Sequence, residues 1–156
     1  MNEQELMEKS IRESLSLLHQ WFPNQLNEMI GMEFVSCDAK ERSLTLRAVS
    51  QPWMANPMNG VHGGISATYV DFAMGILCRY YANGNLTPTI HMDMNFMHTI
   101  EIGKPVLVKS MVVKPGSSLL FTRATIALEE APDVPLVSSA GTYHIPHTPS
   151  VKPPAE

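Results

Sequence analysis

The chain has 156 residues, 44% of them hydrophobic and 17% charged, which fits one domain with its own core and excludes the disordered class. Its formal net charge of −4 comes with no cluster of Lys and Arg, so the basic stripe of a nucleic-acid-binding protein is missing and no nucleic-acid partner is expected. The acidic opening Met1-Asn2-Glu3-Gln4-Glu5 lacks the apolar core of a secretory signal, and no run approaches the roughly 20 apolar residues of a membrane span. The expectation is a cytoplasmic protein without membrane association. Cys37 and Cys78 form neither a close-spaced metal pattern nor a CxxC pair, and are expected to be free, largely buried thiols.

The first predicted element is an amphipathic helix over 1–22. Met7, Ile11, Leu15, Leu18 and Phe22 recur on one stripe, and Pro23 forces the preceding residue out of the helical region. Residues 32–49 then alternate in polarity, with Lys40-Glu41-Arg42-Ser43 as a hairpin connection. A loop rich in proline and asparagine follows over 51–61. The second helix, predicted over 62–82, carries Ile65, Tyr69, Phe72, Ile76 and Leu77 at helical spacing, with small or apolar residues on most of the remaining surface. Such a helix is buried.

After the turn signal Asn83-Gly84-Asn85 the chain reads as strand. Segment 89–97 places Ile90, Met92, Met94 and Phe96 on one face and His91, Asp93 and Asn95 on the other. Segments 104–114 and 118–128 are joined at Pro115-Gly116-Ser117, and 136–145 is the last strand. The tail over 146–156 holds four prolines and is expected to be disordered, leaving 1–145 as a single domain. A lone apolar helix needs a cover, and the sheet is the one available. The predicted fold class is α+β: a curved antiparallel sheet wrapped around a long central helix, with an extra N-terminal helix.

Residues 56–71 carry the chemistry. Gly63-Gly64 stands where a loop enters the central helix, and the first N–H groups of a helix have no intrahelical partner. Glycine lets another group approach that backbone, so the place suits an oxyanion; a tight turn into a buried helix would use the same residues. Asp71 is a carboxylate in an otherwise apolar helix, with no charged residue within seven positions on either side. It reads as a general base or nucleophile, or as a structural cap for some backbone group. It lies eight residues beyond Gly63, roughly 12 Å along a helix. One carbonyl cannot touch both, so a reaction using both needs two chains with antiparallel helices and a site across a two-fold interface.

Residues 56–71, with the His62-Gly63-Gly64 core, resemble the signature of hotdog-fold thioesterases of the phenylacetate-pathway (PaaI-like) type, within the 4-hydroxybenzoyl-CoA thioesterase superfamily. The similarity runs over about 31–143, through Gly103, Lys114-Pro115-Gly116 and Ala140-Gly141-Thr142-Tyr143. The resemblance implies a hotdog fold in homodimers that pair into homotetramers. It implies hydrolysis of acyl-CoA with an aryl or medium-chain acyl group, and coenzyme A as part of the substrate rather than a cofactor. By position, the Gly63 N–H polarises the thioester carbonyl, helped by the Asn56 side chain. Asp71 of the partner chain activates water or attacks the carbonyl, and Thr89 positions the water. His62 and Gly64 hold the substrate loop, His62 more as a structural residue than as a catalytic one.

Two departures concern coenzyme A. The chain has Phe96-Met97-His98-Thr99 where the family often has Arg-Pro, and Ser117 where many members place a cation near the nucleotide phosphates. Lys104, Lys114, Arg79 and Arg123 are substitutes for that cation, or plain surface charges. Met58, Met74 and Met92 are candidates for an adaptable acyl channel, with ordinary core filling as the alternative. No metal constellation is visible, since His91 and His98 are seven apart on a predicted strand. Two other functions use the same fold: hydration or dehydration of an acyl thioester, and non-catalytic acyl-CoA binding.

Overall fold

The computed structural model of the chain describes residues 1–148; of the tail expected to be disordered over 146–156, residues 149–156 lie outside the described residues. Helix α1 spans Glu3–Trp21 and opens with a reciprocal cap. The Glu5 N–H donates to Asn2 Oδ1 at 2.9 Å, and the Asn2 N–H donates to Glu5 Oε2 at 3.0 Å. Its stripe is used as the spacing demands, with Met7 and Ile11 fully buried and Leu15 and Leu18 packed on the core. On its outer face Arg12 pairs with Glu8 at 2.9 Å and covers the Phe34 ring at 4.0 Å. Helix α2 is a single turn, Leu26–Met29, which the sequence pattern did not announce.

Among the described residues six strands form one antiparallel sheet in the order β1-β2-β4-β5-β6-β3. They span Glu33–Asp38, Ser43–Val49, Thr89–Phe96, Pro105–Pro115, Leu119–Leu128 and Pro135–His144 for β1, β2, β3, β4, β5 and β6. Helix α3, Gly63–Tyr81, lies against the concave face. Alternate residues of four strands meet it: Leu44 and Leu46, Val106 and Val108, Leu120 and Ile126, Val137 and Tyr143 are all buried. The Ser110 hydroxyl donates to the Ala73 carbonyl at 3.1 Å, tying the middle of the sheet to the middle of the helix. This is the expected hotdog arrangement. Cys78 is buried and Cys37 half-buried, and both are free thiols.

One strand departs from the pattern. Strand β3 is an edge strand, paired among the described residues only with β6, and its register slips between Thr89 and His91. The extra residue, Ile90, is left out of the alternation and is exposed, as is Phe96 at the other end. Met92 and Met94 keep the inward face and pack on the core. No helix among the described residues is long and apolar enough to cross a membrane.

Candidate active site

Helix α3 presents functional groups at its start and at its middle. The loop feeding its start is shaped by Asn56, whose Oδ1 accepts from the N–H groups of Met58 at 2.9 Å and Gly60 at 3.1 Å. Asn59 takes the left-handed conformation at φ 62°. Gly60 allows the loop to close on the segment after β3: a Cβ there would sit 2.5 Å from Thr99 Cγ2. Asn56 therefore spends its oxygen on the loop, which leaves its NH2 group for another partner.

His62 is the N-cap of α3. Its Nδ1 accepts from the Gly64 N–H at 2.9 Å, so the ring serves the helix terminus and the Gly64 donor is used up. The N–H groups of Ile65 and Ser66 both reach the His62 carbonyl. The Gly63 N–H has no partner among the described residues. It opens on a concavity of about 260 Å³ shared with Asn56, Met58, Phe96, Thr99 and Val137. The Phe96 ring stands over it, 3.4 Å from where a Gly63 side chain would begin.

Asp71 occupies a different concavity, of about 460 Å³, on the side of α3 facing α1 and the loop before β3. Its carboxylate is half-buried and held through one oxygen. Thr89 Oγ1 and the Tyr143 hydroxyl each donate to Oδ1 at 2.7 Å. These are short, charge-assisted bonds, and they fix the orientation of the group. Oδ2 has no partner among the described residues. Burial pushes the Tyr143 hydroxyl far above its ordinary value, and the Asp71 charge pushes it further, so Tyr143 remains a donor. Burial followed by the same charge raises the Cys78 thiol, which excludes a thiolate there. Tyr143 is seated by Gly141, where a Cβ would crowd Thr122 Oγ1 and Tyr143 Cε2 at 3.0 Å and Met74 Cε at 3.1 Å.

The structure thus gathers Asp71 with Thr89 in one place, and Gly63 with Asn56, Met58 and the His62-Gly64 cap in another. Tyr143 is the member that reading the sequence missed; it lies 72 residues from Asp71 and looks like an ordinary inward residue of the last strand. Two expectations need correction, for Met74 and for Arg79. Met74 does not line a channel: it is fully buried, and its sulfur accepts from Thr122 Oγ1 at 3.0 Å. Ser117 sits exposed on the β4–β5 hairpin and lines neither concavity. Arg79, read as a substitute cation for the nucleotide phosphates or a plain surface charge, is only 8% exposed and lines the Asp71 cavity, so the surface reading fails. Met92 is half-buried, as a core-facing residue of an edge strand. Among the described residues no group of three or more His, Cys, Asp or Glu is placed to hold a metal.

Residues 58–134, which include the start of α3, Asp71, Thr89 and strands β3 to β5, match the thioesterase superfamily model. The matched segment makes up just under half of the chain. A human protein, acyl-coenzyme A thioesterase 13, is 32% identical over 71 residues, covering 43% of this chain and 48% of its own length. The chain thus spans about half the length of that relative. Among solved structures, mouse thioesterase superfamily member 2 superposes with a TM-score of 0.74 at 17% identity, over 90% of this chain and 98% of the mouse chain. The E. coli PaaI protein from the phenylacetic acid degradation operon gives 0.76 at 15% identity, over 95% and 99%. At such identities the superpositions establish the shared hotdog fold, and the superfamily segment supplies the helix on which both concavities are built.

Proposed function

We propose that the chain hydrolyses acyl-CoA thioesters, with aryl or medium-chain acyl groups, at two equivalent sites shared across a homodimer. The observation that carries this reading is the division of labour along α3. A free N–H donor stands at Gly63, and a carboxylate with one pinned and one free oxygen stands at Asp71, roughly 12 Å further along the same helix. Two antiparallel copies of α3 bring the Gly63 of one chain to the Asp71 of the other. The exposed edge of β3, with Ile90, Phe96 and Met97 uncovered, favours self-association, and pairs of such dimers would make the homotetramer.

In this reading the thioester oxygen accepts from the Gly63 N–H and the Asn56 NH2 group. Asp71 Oδ2 takes a proton from water, whose oxygen bonds to the carbonyl carbon, and the tetrahedral oxyanion rests on the Gly63 donor. Collapse breaks the carbon–sulfur bond, and the proton held by Asp71 passes to the leaving coenzyme A sulfur. Thr89 and Tyr143 hold Oδ1 so that Oδ2 faces the reacting carbon. Direct attack by Oδ2, giving a mixed anhydride that water then cleaves, uses the same arrangement. A hydratase would need a second acid or base beside the carboxylate, and His62 Nδ1 is already occupied by the Gly64 N–H.

The test is free-thiol release from a panel of acyl and aryl CoA esters, with Asp71→Asn beside the native chain. A drop of about 10²–10⁴-fold in the variant is expected from loss of the base. Undiminished release by Asp71→Asn would sink the reading.

A further inference from the structure

The Asp71 cavity has a polar far end that hydrolysis alone does not use. Asp71, Phe72, Gly75, Ile76 and Arg79 form one stripe of α3 along the cavity, so its two ends lie roughly 12 Å apart. Leu18 of α1 and Phe22, the residue that caps its end, supply the apolar wall, and Gly75 leaves the floor open midway. A volume of about 460 Å³ is in the range of small-molecule sites.

Arg79 closes the far end. Its Nε donates to the Gly84 carbonyl at 2.8 Å, where the N–H groups of Gly84 and Asn83 already cap the helix. That bond accounts for one of its five N–H donors. Arg12 and Arg47 each pair with a glutamate at 2.9 Å, but among the described residues no carboxylate pairs with Arg79, the most buried of the three. Burial lowers its pKa from the usual arginine value, as expected of a cation removed from water without a counter-charge. Beside it, Thr87 lines the same cavity, and its hydroxyl is buried with no hydrogen-bond partner among the described residues. A buried cation and a buried hydroxyl, both short of partners, are costly unless something occupies the cavity and satisfies them.

We propose that this cavity seats the acyl group and that Arg79 and Thr87 bind a carboxylate at the end of it, so that the preferred substrates are CoA monothioesters of dicarboxylic acids. The inference rests on the hydrolysis reading for its thioester end. The apolar stripe holds the methylene chain, Arg79 forms an ion pair with the terminal carboxylate, and the Thr87 hydroxyl donates to one of its oxygens.

Free-thiol release is measured for dicarboxylic monothioesters of CoA, each beside the methyl-ended ester of equal length. The native chain favours the carboxylate-ended ester in kcat/KM by roughly tenfold to a hundredfold, the effect of one charge-assisted contact. Arg79→Met lowers the carboxylate-to-methyl ratio of kcat/KM towards one, and Arg79→Lys keeps part of it. Equal or reversed preference in the native chain, or an unchanged ratio in Arg79→Met, overturns the proposal and leaves hydrolysis standing. Should Arg79→Met fail to fold because the helix cap is lost, Thr87→Val, which spares the cap, must lower the same ratio; no change there also overturns it. Equilibrium binding of the same ester pairs to Asp71→Asn reads the preference without turnover. Equal binding of the two esters in that experiment counts against the proposal even if the native chain releases no thiol.

Discussion

The donor end of α3 and its carboxylate end are built on different principles. The donor end is shaped mainly from within: Asn56 and the His62 cap fold residues 56–64, a bridge from Gly60 to Glu101 and the bond from the Val61 N–H to the Ile100 carbonyl dock them on the segment after β3, and what they present is backbone. The carboxylate end is assembled from α3, the start of β3 and the end of β6, and what it presents is one carboxylate oxygen left free by two hydroxyls on the other. A site that presents backbone depends little on which side chains surround it. An assembled one depends on strand register, because a one-residue slip of β6 would turn Tyr143 to the opposite face.

The contrast can be broken first at the donor end. Gly63 is the first residue of α3, a position that accepts proline, and His62 at φ −58° and ψ 136° already has the extended backbone a following proline requires. Gly63→Pro therefore removes the N–H while keeping the helix. Thiol release should fall about 10²–10³-fold, as for loss of an oxyanion donor, with the circular dichroism spectrum unchanged. Full activity would move the oxyanion donor elsewhere.

A smaller effect is expected at the carboxylate end, where the work is shared. Tyr143→Phe and Thr89→Val each delete one charge-assisted bond to Asp71, worth about 1.5–3 kcal/mol, so kcat should fall roughly tenfold to a hundredfold for each. Because both act on Oδ1, the double variant should lose less or more than the product of the two, and a double-variant cycle measures that coupling. Strict additivity would argue against a shared oxygen.

The smallest effect concerns alkaline stability. Burial raises Cys78 and Tyr143, and it pushes Tyr69 and Tyr81 up to about 12. Below the ordinary value of each group, near 9.0 for the thiol and 10.0 for tyrosine, both folded and unfolded chains hold these protons. Above it the unfolded chain releases them first, so stability should be level at neutral pH and decline from about pH 9 upward. Denaturant unfolding at neutral pH and at increasing alkalinity checks this, and Tyr143→Phe should show the shallower decline.

The same division explains what could be read in the sequence. The helix period of residues 65–77, the alternation of the later strands and the glycines at the start of α3 are short-range signals, and they led to a helix inside an antiparallel sheet with its donor loop. Asp71 was visible because a carboxylate is out of place in an apolar helix. Tyr143 was not, since its role depends on β6 lying beside β3, a pairing that no local pattern encodes. Arg79 was misread for a related reason: it closes a helix at an exposed-looking turn, but α1 and the loop before β3 fold over it. The slip at Ile90 also escaped notice, because a bulge adds one residue without disturbing the composition of its strand.

The central claim is that each site draws on two chains, and subunit mixing tests it directly. Asp71→Asn and Gly63→Pro are each expected to be nearly inactive, one lacking the base and the other the donor. When the two are unfolded together and refolded as a mixture, half of the dimers combine them, and each of those holds one intact site. Activity should return to roughly a quarter of the native level. If both groups served one site within a single chain, no mixed dimer would hold an intact site. Release that stayed at the level of the separate variants would therefore contradict a site shared between chains.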